Sequence, residues 1–150
     1  MMPREFPPMG QGAANLDEVY RRFQELQAWV GWTEASARRV AATATLLEPH
    51  LHAIVGEVHD EILRHPNARK VITGGQTQIN SLIETLIQWL REVLGGCYDQ
   101  EYVARRWRTG WRHVEIGLEQ VYINATMSQL RLGLIWSRCI RPRHAVWGWA

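Results

Sequence analysis

The chain has 150 residues, of which 46% are apolar and 21% charged, enough for one domain with its own core and too apolar for a disordered chain. A formal net charge of +2 excludes the dense positive surface needed to bind nucleic acid or an anionic membrane. The two cysteines, Cys97 and Cys139, form no CxxC pair, so neither a zinc site nor a disulfide framework is indicated, and a reducing compartment is expected.

Residues 1–14 are rich in Pro and Gly and read as a flexible leader without the apolar run of a signal peptide. No stretch approaches the roughly 20 apolar residues of a membrane span, so a cytoplasmic protein without membrane contact is expected. A first helix is predicted from Leu16 to Trp29, broken at Gly31. Thr33 is a favourable N-cap, with Glu34 in the first turn of a second helix that reaches Glu48 before Pro49. From His50 to Arg64 the apolar residues Leu51, Ile54, Val55, Val58 and Ile62 keep helical spacing, and Pro66 ends the pattern. Gly74-Gly75 and Gly95-Gly96 bracket a fourth helix, in which Ile79, Leu82, Ile83, Leu86, Ile87, Leu90, Val93 and Leu94 follow the three-four rhythm. Asp99 is placed to cap a fifth helix through Tyr102, Val103, Trp107, Trp111 and Val114. After a kink near Gly117, a sixth runs from Glu119 to Ser137, and residues 139–150 form an irregular tail. Six helices without strands give an all-α domain, with a bundle and a globin-like packing both open at this point.

Six histidines are the candidates for chemistry. His50, His52 and His65 lie near helix ends or on solvent faces, and His144 lies in the tail; none is assigned a role. His59 is in register with Val55, Val58 and Ile62, while His113 sits between aromatic and apolar residues late in the fifth helix. By spacing alone, a hydrogen-bonded core histidine explains each better than a ligand does. The case for a ligand is that neutral imidazole binds iron and an apolar shell controls access to it. The apolar face from Ile79 to Leu94, Ile83 included, would supply one wall of the long slot that a porphyrin needs.

The stretch Arg112-His113-Val114-Glu115-Ile116-Gly117-Leu118, followed by Tyr122 and Met127, resembles the proximal-histidine signature of the globin-coupled sensors. Leu46-Leu47-Glu48-Pro49-His50 leading into Val58-His59-Asp60-Glu61-Ile62-Leu63 is similar to that family's entry into its B helix. Trp89 to Asp99 resembles its connection between the E and F helices. These blocks occur in the family's order over residues 15–137. The resemblance implies a globin-like helical sandwich over 15–138 that binds haem b, with His113 as the iron ligand. It further implies Leu82 and Gln78 on the distal side, and Trp111 and Tyr122 as possible wall residues that plain packing also explains.

Two departures stand out. His59 occupies the B-helix position where the family usually carries a tyrosine that hydrogen-bonds bound oxygen. An imidazole there has three roles open to it: donating to the gas ligand, coordinating the iron itself, or only packing. The family's final H helix also does not fit in the residues that follow Ser137, and no transmitter follows; dimerisation through the last helix would cover the apolar surface this exposes.

The resemblance implies a gas sensor for oxygen, carbon monoxide or nitric oxide, acting as a homodimer on a separate signalling partner. Two other functions compete with it. One is a haem enzyme of peroxide or nitric oxide chemistry, for which only His59 would serve as a distal base. The other is a haem-free interaction module, which would have no need of a histidine at position 113. Arg105, Arg106, Arg108 and Arg112 are candidates for the haem propionates, a role that a solvated helix face rivals.

Overall fold

The computed structural model describes residues 12–70 and 72–139, with side chains described from Leu16 to Ser137. Seven α-helices account for nearly all of it: α1 (Gly12–Trp29), α2 (Glu34–Leu47), α3 (Leu51–Arg64), α4 (Pro66–Arg69), α5 (Gly75–Leu94), α6 (Gln100–Glu115) and α7 (Gln120–Cys139). A 3-10 turn, Glu48–His50, joins α2 to α3, and no strand occurs among the described residues. The all-α expectation and its six long helices hold. The short α4 was not anticipated: Pro66 ends α3 but also starts a turn of its own, being tolerated at a first helical position. Helix α1 begins at Gly12, inside the stretch expected as leader, and α7 extends to Cys139, the first residue of the expected tail. Residues 1–11 and 140–150, His144 among them, lie outside the described residues.

Local sequence explains the helix boundaries. The Thr33 side chain accepts from the Ser36 amide at 3.2 Å and Ser36 accepts from the Thr33 amide, a reciprocal cap that satisfies two free donors. Asp99 accepts from the Tyr102 amide at 2.8 Å at the start of α6. Gly96 leaves α5 with φ +75°, a left-handed conformation that L side chains avoid.

The core lies where α2, α3, α5 and α7 meet. Leu47, Leu51, Ile54, Val55, Val58, Ile87, Leu90, Leu94 and Leu130 form one buried cluster. Helix α7 lies close on α3, because an added Cβ at Gly133 would come within 2.7 Å of Ile54 Cγ2. Burying side chains of this size stabilises by about 1.5–3 kcal/mol each, so this four-helix contact is the main source of stability. Helices α1 and α6 pack as a second pair. Phe23, Tyr98 and Tyr102 interlock there, with ring centroids 6.2 Å apart for Phe23–Tyr102 and 5.2 Å for Tyr98–Tyr102. Gln100 donates to Asp17 across the same pair. Among the described tryptophans, Trp29 is 84% exposed, Trp136 is exposed, and Trp32 edges onto Tyr98.

Candidate haem site

The site is a wedge between α5 and α6. The two helices are joined at the end nearest their connecting loop. There the Tyr98 hydroxyl donates to the Val93 carbonyl at 2.6 Å. Glu92 accepts from Arg105 Nε at 3.3 Å and from Arg106 Nη2 at 2.8 Å. The Arg106 guanidinium also lies between two rings, 6.0 Å from Trp89 and 5.4 Å from Tyr102.

Helical geometry carries this register further. Residues seven apart share a face, separated by about 10 Å along the axis. The face of α6 that brings Arg106 to Trp89 therefore carries His113 two turns on. The matching face of α5 carries Leu82 and, a further turn away, Gln78.

Along both helices the cover thins as the wedge opens. On α5, Ile87, Leu90 and Leu94 are buried, whereas Ile79 is half-buried and Leu82 is 37% exposed. On α6, Tyr102, Val103 and Ala104 are buried, His113 is half-buried and Val114 is exposed. Gly110 lies on the His113 face one turn before it, and an added Cβ there would meet nothing within 4 Å. A glycine inside a helix costs about 1 kcal/mol relative to alanine, and no turn or protein contact accounts for this one.

His113 makes no ring hydrogen bond to a described residue, and burial pushes its imidazole below the usual histidine range. Its carbonyl accepts from the Leu118 amide at 3.0 Å, which ties the end of α6 to the turn before α7. His59, on α3, is only 5% exposed, and neither ring nitrogen has a partner. Burial lowers its pKa as well, with the Asp60 carboxylate opposing in part. Both rings are thus held neutral, the form in which imidazole ligates iron or shares a proton. Neutral imidazoles on α3 and α6 and apolar side chains left uncovered on α5 are the kinds of group that an iron porphyrin takes.

The other expected wall residues are placed as follows. Leu82 shares the Trp89 face. Gln78 does too, but its Oε1 accepts from the Gly74 amide at 2.5 Å and so caps α5. Ile83 packs onto the core cluster, to one side of the wedge. Trp111 is about 200° around the helix from His113 and donates to Glu115 at 3.1 Å, so the structure does not bring it to this face. Tyr122 rests on the ring of His65, 5.1 Å between centroids, at the far end of α3. The sequence treated its four arginines alike, and the joint at Glu92 went unnoticed. The available signal was the seven-residue spacing from Arg106 to His113.

No helix among the described residues is long and apolar enough to cross a membrane. No curated protein matches the sequence. The profile of the protoglobin family does match, over residues 19–137, a span that contains α2 to α6 entire and both candidate histidines. The chain therefore belongs to the protoglobin family, and its seven helices form a haem-binding, gas-binding globin domain.

Proposed function

We propose that this chain is a cytoplasmic gas sensor whose haem b is held by His113 as the only protein ligand to iron, with His59 on the gas side. One observation carries the reading: two imidazoles kept neutral by burial, on helices α3 and α6 of a haem-binding fold, the first with both ring nitrogens unpartnered. When bound, the ferrous porphyrin supplies reversible coordination of a diatomic gas, whether oxygen, carbon monoxide or nitric oxide.

The chain's own residues do the rest. His113 presents a neutral nitrogen, the form available as a ligand without first losing a proton. Ile79 and Leu82 exclude water from the distal side. His59 offers an N–H to the gas ligand from a surrounding in which no protein acceptor competes for it. Among the described residues it is also the one buried polar side chain besides the hydroxyl-bearing Tyr102.

Transmission starts at the His113 carbonyl. Its bond to the Leu118 amide links the end of α6 to α7, which begins at Gln120. Helix α7 exposes Val121, Leu132 and Ile135. A second copy of the chain covers this face and passes the shift on to a signalling partner. The gas acts by favouring one arrangement of α6 against α7 over another.

The test is His113→Ala. The variant is expected to lose the spectrum of histidine-ligated haem. An unchanged visible spectrum would overturn the assignment.

A further inference from the structure

We propose that Arg106 is the cation that pairs with a haem propionate, so that Arg106, Gly110 and His113 form one continuous cradle along α6. The inference rests on the haem reading above and goes beyond it by selecting one arginine of four.

The selection is geometric. At about 100° per residue, Arg105 and Arg112 lie on one flank of α6 and Arg108 on its back. Arg106 alone of the four shares the His113 face, about 10 Å away along the axis. The flanking arginines are already engaged: Arg105 with Glu101 at 2.9 Å and Arg112 with Glu115 at 3.0 Å, the latter out in solvent.

Arg106 is different in kind. Its Nε and Nη1 are shut off from solvent and bonded to nothing. The one carboxylate it touches, Glu92, is shared with Arg105, which also holds Glu101. A partly buried cation with two idle donors is an unfinished site, since a guanidinium presents a planar fork suited to a carboxylate. A propionate is a carboxylate on a flexible arm. Gly110 leaves the intervening strip of α6 open, so a propionate of a porphyrin held by His113 would have a clear path toward Arg106. Pairing with a propionate would require the Arg106 fork to turn from Trp89, where its idle donors are covered.

The test compares haem with its dimethyl ester, in which both propionates are blocked, each titrated into haem-free full-length protein. Wild type is expected to prefer the free acid by about 10- to 100-fold, the range of a hydrogen bond to a charged group. Arg106→Met is expected to bind haem only as tightly as the ester, with the absorption of histidine-ligated haem retained. Arg106→Lys keeps the charge and is expected to keep part of the preference; it serves as the readout if the methionine variant does not fold.

A wild type indifferent to esterification overturns the proposal. So does an Arg106→Met variant that still prefers the free acid, or one that loses affinity for both compounds equally, which marks a purely structural residue. Failure of the underlying haem reading looks different: wild type then binds neither compound, or binds both with spectra that His113→Ala leaves unchanged.

Discussion

Replacing His59 by leucine is expected to make the haem-free protein more stable. His59 is 5% exposed and both ring nitrogens lack partners. Burying a polar group in that condition costs about 1–3 kcal/mol. Leucine is of similar size and carries no polar atom, and the misfit of its branched shape takes back less than about 1.5 kcal/mol. The net expectation at pH 8 is a gain of about 1 kcal/mol, read as a higher urea midpoint with an unchanged slope.

The pH dependence sharpens the test. Burial lowers the pKa of His59 in the folded state, so between that value and the unfolded value near 6.5 the unfolded chain binds more protons. Stability is therefore full above about pH 6.5 and falls as the pH drops toward the folded pKa, by up to about 1.4 kcal/mol per unit for each such histidine. His113 is lowered too and adds a second contribution of the same sign. Wild type is expected to lose stability about twice as steeply as His59→Leu below pH 6.5. In the haem-loaded protein the same variant is expected to release oxygen faster. A variant that is less stable at pH 8, with an undiminished loss on acidification, would refute the buried-imidazole argument.

Two further predictions concern the scaffold. Gly133→Ala gains about 1 kcal/mol of helix propensity but drives a methyl to 2.7 Å from the stiff Ile54 side chain, an overpacking cost of about 1–3 kcal/mol. A net loss is expected in thermal unfolding, smaller in the Ile54→Ala background, and purely additive effects would show that the α3–α7 contact is looser than described. Gly96→Ala places an L side chain at φ +75°, with its Cβ 3.0 Å from the Ala37 carbonyl oxygen and the Ala41 Cβ, so a loss of about 1–2 kcal/mol is expected; an unchanged melting temperature would rule out the close approach of this turn to α2.

Much of the scaffold was legible because local chemistry and apolar rhythm agreed. Thr33 and Asp99 were readable as caps and act as caps. The three-four pattern of α5 predicted a helix over its full length. What the pattern could not supply was the direction of each apolar residue once several helices competed for it. Ile79 and Ile87 look equivalent in sequence, yet one is half-buried and the other lies at the centre of the core. Trp111 beside His113 read as a wall residue, but two steps along a helix turn a side chain to the opposite side. Gln78 was read by its position and not by the free amides at the start of α5, one of which claims its side chain. The sharing of Glu92 between two arginines depends on a contact between helices that spacing within one helix does not reveal.

The division of labour between the two packed groups follows from where the buried side chains lie. The α2–α3–α5–α7 cluster holds the chain together through aliphatic contacts that carry no polar atoms. The α5–α6 wedge holds the idle donors of Arg106, the open strip at Gly110 and the uncovered Leu82, each of which is a local cost to the haem-free fold. A protein tolerates such costs when a bound group relieves them, since binding to the folded state alone adds to its stability. His59 extends the same logic to the core: it is the one buried polar residue of α3, on the helix that supplies Leu51, Ile54, Val55 and Val58 to the cluster. Haem binding should therefore stabilise the whole fold through α3 as well as the wedge.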